Sequence, residues 1–426
     1  MTDEIKQELL TIKKQMNLYI SKILNKPISI PDHAYFTLTN RCNLKCVMCD
    51  IRKHPPKKLS DELTTNEIKK SIDEISEMGI NHVIFSGGEP LLRKDIFELI
   101  KYSTNKVKQI SLITNGLNIK KELAKRIVNS GITQITFSLD GTEKIHNNIR
   151  GSNDSYNNII DSIKLIKLYR KKKPSIGINF TIMNSNFKNM IKILELAEKN
   201  DCDNIVFQPV MENNTDMKAQ FKNKSFAVSK KNIISLKKIK EAIENLKQIK
   251  HKTKLLINTV ITKKNYFELS KILEFAKQNS LNSVTFLGLS YNPNNKLISS
   301  LLFKKEDEER FNQVVDRLIM LKRNGPRIQN SIKELKNLKK YYFQPEETIK
   351  KNPCNLKNRL YVFPDGTTYS CSKLPTLGNI QVDSIKKLLK QRKEIIPLSK
   401  QCKEICMLPC TRTKSLIKRI VEVWKS

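Results

Sequence analysis

The chain has 426 residues, 39% of them hydrophobic and 28% charged, proportions that fit one large folded domain plus a smaller one and exclude a low-complexity or collagen-like chain. Lys and Arg number 78 against 42 Asp and Glu, a formal net charge of +36; because the lysines are spread from end to end, the excess reads first as solubility and second as attraction to a polyanion or an anionic membrane surface. Residues 1–26 carry Asp3, Glu4 and Glu8 without a sustained apolar run, and no stretch reaches the length of a membrane span, so a secretory signal and a transmembrane anchor are not expected.

The expected location is the cytoplasm, where nine cysteines serve as metal ligands or free thiols rather than as disulfides. Residues 1–33 are predicted to be an N-terminal helical extension. From Ala34 short β-rich runs alternate with amphipathic stretches, the pattern of βαβ units and a parallel sheet. Strands are predicted at Ala34–Thr39, His82–Ser86, Gln109–Thr114, Gln134–Leu139, Ser175–Ile182 and Asn204–Pro209, with helices at Thr65–Met78, Lys120–Asn129, Tyr156–Arg170 and Phe187–Lys199. Six such units make a partial (βα)6 barrel of the α/β class, here over residues 34–300.

An ungapped internal repeat then extends it. Ile178–Ile182 aligns with Ile257–Ile261, Lys192–Ala197 with Lys271–Ala276, and Val206-Phe207 with Thr285-Phe286, all at one offset. Two strand–helix–strand copies (175–211 and 254–290) would raise the barrel to as many as eight strands, although convergent patterning could produce the same match. Ser229–Lys250 and Lys305–Arg323 read as basic helices. Residues 301–352 form a helical connection ending in a polar stretch, Tyr341–Asn352, before a cysteine-rich domain at 353–426 whose last helix is Ser415–Trp424.

Cys42, Cys46 and Cys49 stand at C-x3-C-x2-C spacing on the loop after the first strand. Three thiolates on a tight loop can hold three corners of a [4Fe–4S] cube, leaving one iron open to a chelating ligand; a zinc loop is the competing reading. Ser86-Gly87-Gly88-Glu89-Pro90 ends the second strand, Thr114-Asn115-Gly116 the third and Ser138-Leu139-Asp140-Gly141 the fourth, and His146–Gly151 follows.

In this order the motifs resemble the radical SAM superfamily. The resemblance implies that Cys42, Cys46 and Cys49 hold a cluster with an open iron for S-adenosylmethionine. It also implies that Gly87, Gly88 and Glu89 meet the methionine amino group, that Asn115, Ser138 and Asp140 lie beside the methionine and ribose, and that Arg150 faces the carboxylate. Gly87 and Gly88 would allow close backbone approach to that ligand. Met48 departs from the aromatic residue common before the third cysteine. The three sulfurs are expected to converge at the barrel mouth, near Gly87–Glu89 and within reach of Arg150.

The tail resembles a reduced form of the SPASM and twitch extensions, with Cys354 and Cys371 framing a hairpin, Arg359–Phe363 and Thr368–Cys371, and Gly378-Asn379-Ile380 and a helix from Ser384 following it. Cys402, Cys406 and Cys410 supply further thiols. The resemblance implies one auxiliary [4Fe–4S] cluster from these five cysteines, placed toward the barrel mouth, with zinc as the alternative metal. Cys202 reads as a buried apolar residue.

The implied activity is reductive cleavage of S-adenosylmethionine to a 5′-deoxyadenosyl radical, with electrons from a ferredoxin or flavodoxin. The residues that contact substrate during catalysis are not legible. The substrate expected first is a peptide or protein; a small molecule, sugar or lipid-linked precursor comes second and RNA third, because no appended RNA-binding motif is found. A non-catalytic metal-binding protein comes last.

Overall fold

The computed structural model describes residues 31, 33–49, 51, 61–183, 185–209, 254–263, 265–270, 273, 283–288, 301–325, 328–344, 359–370 and 376–390. The predicted N-terminal helices, the basic helix Ser229–Lys250 and the tail helix Ser415–Trp424 lie outside the described residues.

The first strand, β1 (His33–Thr37), leads through the cysteine loop to α1 (Thr65–Glu77) and β2 (His82–Ser86). The start of α1 is fixed by a capping box between Thr64 and Glu67, and its buried residues Ile68, Ile72 and Ile75 recur at helical spacing. The pattern continues with α2 (Ile96–Thr104), β3 (Gln109–Thr114), α3 (Lys121–Asn129) and β4 (Gln134–Ser138). After it come α4 (Glu143–Arg150), α5 (Ser155–Tyr169), β5 (Ser175–Ile182), α6 (Met190–Lys199) and β6 (Asn204–Pro209).

Two more parallel strands, β7 (Lys254–Ile261) and β8 (Ser283–Gly288), extend the sheet. They stand where the sequence predicts the strands of the second copy. Each copy also carries a short 3-10 turn, Phe187–Asn189 and Tyr266–Glu268, preceded by an asparagine of matching backbone, Asn186 (φ −130°, ψ −6°) and Asn265 (φ −131°, ψ −7°). Their side-chain oxygens accept from Met183 N and Thr262 N, both at 2.7 Å.

In sequential strand order from β1 to β6, the usual right-handed crossover sets the connecting helices on one face. The strand residues in the core accordingly share one parity: Ala34 and Phe36, Val83 and Phe85, Ile110 and Leu112, Ile135 and Phe137. The alternate positions point the other way and are polar in part; His82 Nε2 lies 2.9 Å from Ser111 Oγ, which donates to Gln134 Oε1.

After β8 the chain forms α7 (Glu308–Arg323) and α8 (Ile332–Phe343). The sequence reading placed Tyr341–Phe343 in a polar connection; they are instead the last residues of α8. Leu335, Leu338, Tyr341 and Tyr342 lie on one helical face and are buried, and the Tyr342 hydroxyl donates to Ile261 O, so an apolar stripe outweighs the local polarity.

The chain then returns to the start of the sheet. The strand β9 (Arg359–Val362) pairs in parallel with β1, and β10 (Thr367–Tyr369) and β11 (Gly378–Asn379) add antiparallel. Among the described residues the sheet thus has eleven strands, ending on β11 and β8, and it is an open, partial barrel. Leu63 N donates to Pro364 O in the β9–β10 turn, Gln381 bonds Glu67, and Ile385 N bonds Glu74, so the hairpin packs on the segment that follows the cysteine loop.

Candidate active site

The cysteine loop leaves β1 at its C-terminal end and is gripped from two sides by backbone. Gly88 N donates to Thr39 O (2.7 Å) and Glu89 N to Arg41 O (2.8 Å); across the loop, Lys45 N donates to Arg150 O (3.1 Å) and Val47 N to Ile149 O (2.8 Å). This approach requires glycine. A Cβ on Gly88 would stand 2.2 Å from Arg41 O, one on Gly87 2.5 Å from Thr39 O, and one on Gly151, at φ +65°, 2.6 Å from Lys45 O. The backbone brought close to Gly87 and Gly88 is thus the cysteine loop itself.

Beneath the loop entry lies a polar network that the sequence reading missed. The Thr39 hydroxyl donates to buried Glu62 and accepts from Arg41 N at 3.0 Å. Arg41 Nη2 also reaches Glu62, at 3.4 Å. Arg93 donates from Nη1 to Leu38 O (3.1 Å) and Leu63 O (3.0 Å), and makes a two-pronged pair with Asp95 at 2.9 and 2.7 Å. Asp95 in turn accepts from Thr65 Oγ1. The one available signal was that Arg93 and Asp95 follow Glu89 within six positions.

Glu89 lies three residues beyond the end of β2 and is buried. Its carboxylate accepts from Leu91 N, Thr114 Oγ1 and Asn115 N at 3.1, 2.9 and 2.8 Å. Burial pushes its pKa up to about 7 against the pull of those three bonds. Asn115 turns its side chain toward the loop, with Nδ2 2.8 Å from Asn43 Oδ1 and 3.8 Å from Cys42 Sγ. The Cys42 thiol is pushed up to about 11 by burial, reinforced by Cys46, Glu89 and Cys49 and opposed by the Leu44 amide.

On the other side, Arg150 at the end of α4 lies 3.6 Å through Nη1 from Cys46 Sγ and 2.5 Å through Nη2 from Asp140 Oδ2. Burial works against its charge, and Asp140, Cys46 and Cys49 outweigh that and raise its pKa. Asp140 is fully buried, its Oδ1 accepting from Thr181 N (2.7 Å) and its backbone N donating to His146 Nδ1 (3.1 Å). Ser138 ends β4 half-buried, in register with Asn179. Met48 is half-buried.

The three cysteines are therefore brought together with Glu89, Asn115, Asp140 and Arg150 at the C-terminal ends of β1 to β4. Among the described residues no group of three His, Cys, Asp or Glu side chains could hold a single metal ion. N–H donors from Asn115 and Arg150 aimed at two of the sulfurs suit the anionic form a cluster ligand takes. The loop fits a cube on these grounds.

The five tail cysteines, Cys354, Cys371, Cys402, Cys406 and Cys410, lie outside the described residues. The last strand before Cys371, β10, runs from its turn back along β9, so that Tyr369 stands opposite Tyr361, itself paired with Tyr35 of β1. Cys202 is buried, and burial pushes its thiol up to about 12.

Residues 36–211 match the family profile described as the Radical SAM superfamily. Fe-coproporphyrin III synthase of Methanosarcina barkeri is 31% identical over 172 residues, covering 40% of this chain and 42% of that one. AdoMet-dependent heme synthase of the same organism is 34% identical over 166 residues, covering 38% and 46%. The similarity thus spans less than half the length of these curated relatives. The crystal structure of Streptococcus suis SuiB bound to S-adenosylmethionine superposes with a TM-score of 0.55 at 14% identity, covering 94% of this chain and 74% of that one; it shares the fold. No helix among the described residues is long and apolar enough to cross a membrane.

Proposed function

We propose that the chain is a radical SAM enzyme, in which Cys42, Cys46 and Cys49 hold a [4Fe–4S] cluster and S-adenosylmethionine binds beside it. The observation that carries this reading is the cysteine loop clamped between Gly87–Glu89 and Arg150, with two protein N–H groups pointed at its sulfurs. When bound, the cluster supplies one electron for cleavage of the sulfonium to methionine and a 5′-deoxyadenosyl radical, which takes hydrogen from a substrate.

The chain's own residues supply position. Gly87 and Gly88 let the end of β2 close on the loop, Glu89 holds a buried carboxylate behind it, and Asn115, Ser138 and Asp140 lie at the ends of the next strands. A carboxylate with a pKa of about 7 becomes a better partner for an ammonium group as pH rises through neutrality. The substrate we favour is a peptide or protein, on the resemblance of the tail to SPASM and twitch extensions. A second reading, a porphyrin, is favoured by the names of the two curated relatives. The tail cysteines would carry one auxiliary cluster, and a ferredoxin or flavodoxin in the cytoplasm would supply electrons.

The test is 5′-deoxyadenosine release from S-adenosylmethionine by anaerobically reconstituted, dithionite-reduced protein. Replacing Cys42, Cys46 and Cys49 together by Ala should abolish it while about four irons remain in the tail. Undiminished release from the triple variant would refute the assignment of the loop, and loss of all iron would refute the second cluster.

A further inference from the structure

Arg150 is oriented more tightly than capture of a substrate carboxylate requires. Its residue is 8% exposed, and both terminal nitrogens are engaged inside the protein, one on Asp140 and one on Cys46. Asp140 is itself held at three further atoms. Its Oδ1 takes the Thr181 amide, its N–H goes to His146 Nδ1, and its carbonyl accepts from Asn186 Nδ2 at 2.9 Å. Asn186 is fixed in turn by Thr181 O and Met183 N, each at 2.7 Å. The Arg150 carbonyl meanwhile receives Lys45 N, so main chain and side chain of one residue both hold the cysteine loop.

We infer that Arg150 tunes the cluster: its guanidinium donates a charge-assisted hydrogen bond to the Cys46 sulfur and sets the potential at which the site accepts an electron. This rests on the reading of Cys42, Cys46 and Cys49 as cluster ligands. Net charge and hydrogen bonds to ligand sulfurs are among the levers that set the potential of an iron–sulfur site. A cation at the Cys46 sulfur stabilises the state carrying one more electron. Asp140 opposes it with a negative charge, so the two side chains act with opposite sign.

That opposition separates tuning from scaffolding. Redox titration of the reconstituted protein with dithionite and mediators, followed by the EPR signal of the reduced site, should place D140N above the wild type and R150Q below it. Each reduction equilibrium is expected to move about tenfold, or ~59 mV for one electron. If R150Q holds no iron at the loop, R150K replaces it. It keeps the charge but not the fork, and must still fall below the wild type. Potentials that do not move, or that move together in the two variants, overturn the inference while leaving the cluster assignment intact. A wild-type protein that takes up no cluster at Cys42, Cys46 and Cys49 overturns the assignment itself.

Discussion

Replacing Arg93 by Met removes a buried cation from four acceptor contacts and leaves Leu38 O, Leu63 O and Asp95 without it. Arg93 and Glu62 side chains are 7% and 4% exposed, Asp95 17%, so solvent screening is slight. Hydrogen bonds to charged groups contribute about 1.5–3 kcal/mol each, but they share one cation and are not additive. Breaking a buried pair from one side costs about 3–5 kcal/mol, which is the expected loss. R93K should lie between, because one ammonium cannot serve acceptors that a planar fork reaches on two sides. Urea unfolding of the metal-free protein by circular dichroism measures the loss. Alkylation of Cys42, Cys46 and Cys49, read by mass spectrometry, should quicken as the loop entry loosens. A loss under about 1 kcal/mol with unchanged alkylation would refute the claim that this network holds the loop.

Gly88→Ala should weaken iron retention, since its Cβ would stand 2.2 Å from Arg41 O; overpacking of this kind costs about 1–3 kcal/mol, and iron content after reconstitution and desalting checks it. His146 is kept neutral by burial and by Arg150, its pKa lowered to about 3. The unfolded chain takes up a proton there below about 6.5 and the folded chain does not, so stability is lost as pH falls from 6.5 toward 3. H146N, which can still accept from Asp140 N, should flatten that part of the acid limb in thermal midpoints measured against pH; an unchanged slope would contradict the assignment. Glu89 acts with the other sign. Its raised pKa makes stability fall as pH rises from about 4.5 to about 7, and E89Q should remove that fall.

The strands were legible because parallel strands buried against helices are written as short apolar runs, and β7 repeats the apolar spacing of β5 at Ile257–Ile261. Asn186 and Asn265, not read from sequence, also hold matching backbone conformations before their turns. The motif order located the cysteine loop and the strand ends around it. What sequence could not show was direction. Gly87 and Gly88 signalled a close approach but not that Thr39 and Arg41 are what approaches, and Arg150 signalled an anionic partner without revealing that Asp140 already occupies it. Glu62 and Arg93 were invisible because a charged residue in a helical or loop segment is solvated in most chains, and only the fold shows these two enclosed. The polar composition of 341–352 hid the end of α8 for a related reason: two tyrosines count as polar until their rings are seen packed.

The parallel pairing of β9 with β1 bears on how the protein comes into being. During synthesis β1 emerges early, yet its free edge waits for a partner more than three hundred positions later in the chain. Until then it presents an unpaired row of amides and carbonyls, the kind of edge that recruits strands from other molecules. Contacts so distant in sequence also slow folding, because the intervening loop must close before the pairing stabilises anything. The nascent barrel should therefore be exposed to aggregation until its own tail arrives, and truncation before residue 359 would make that exposure permanent.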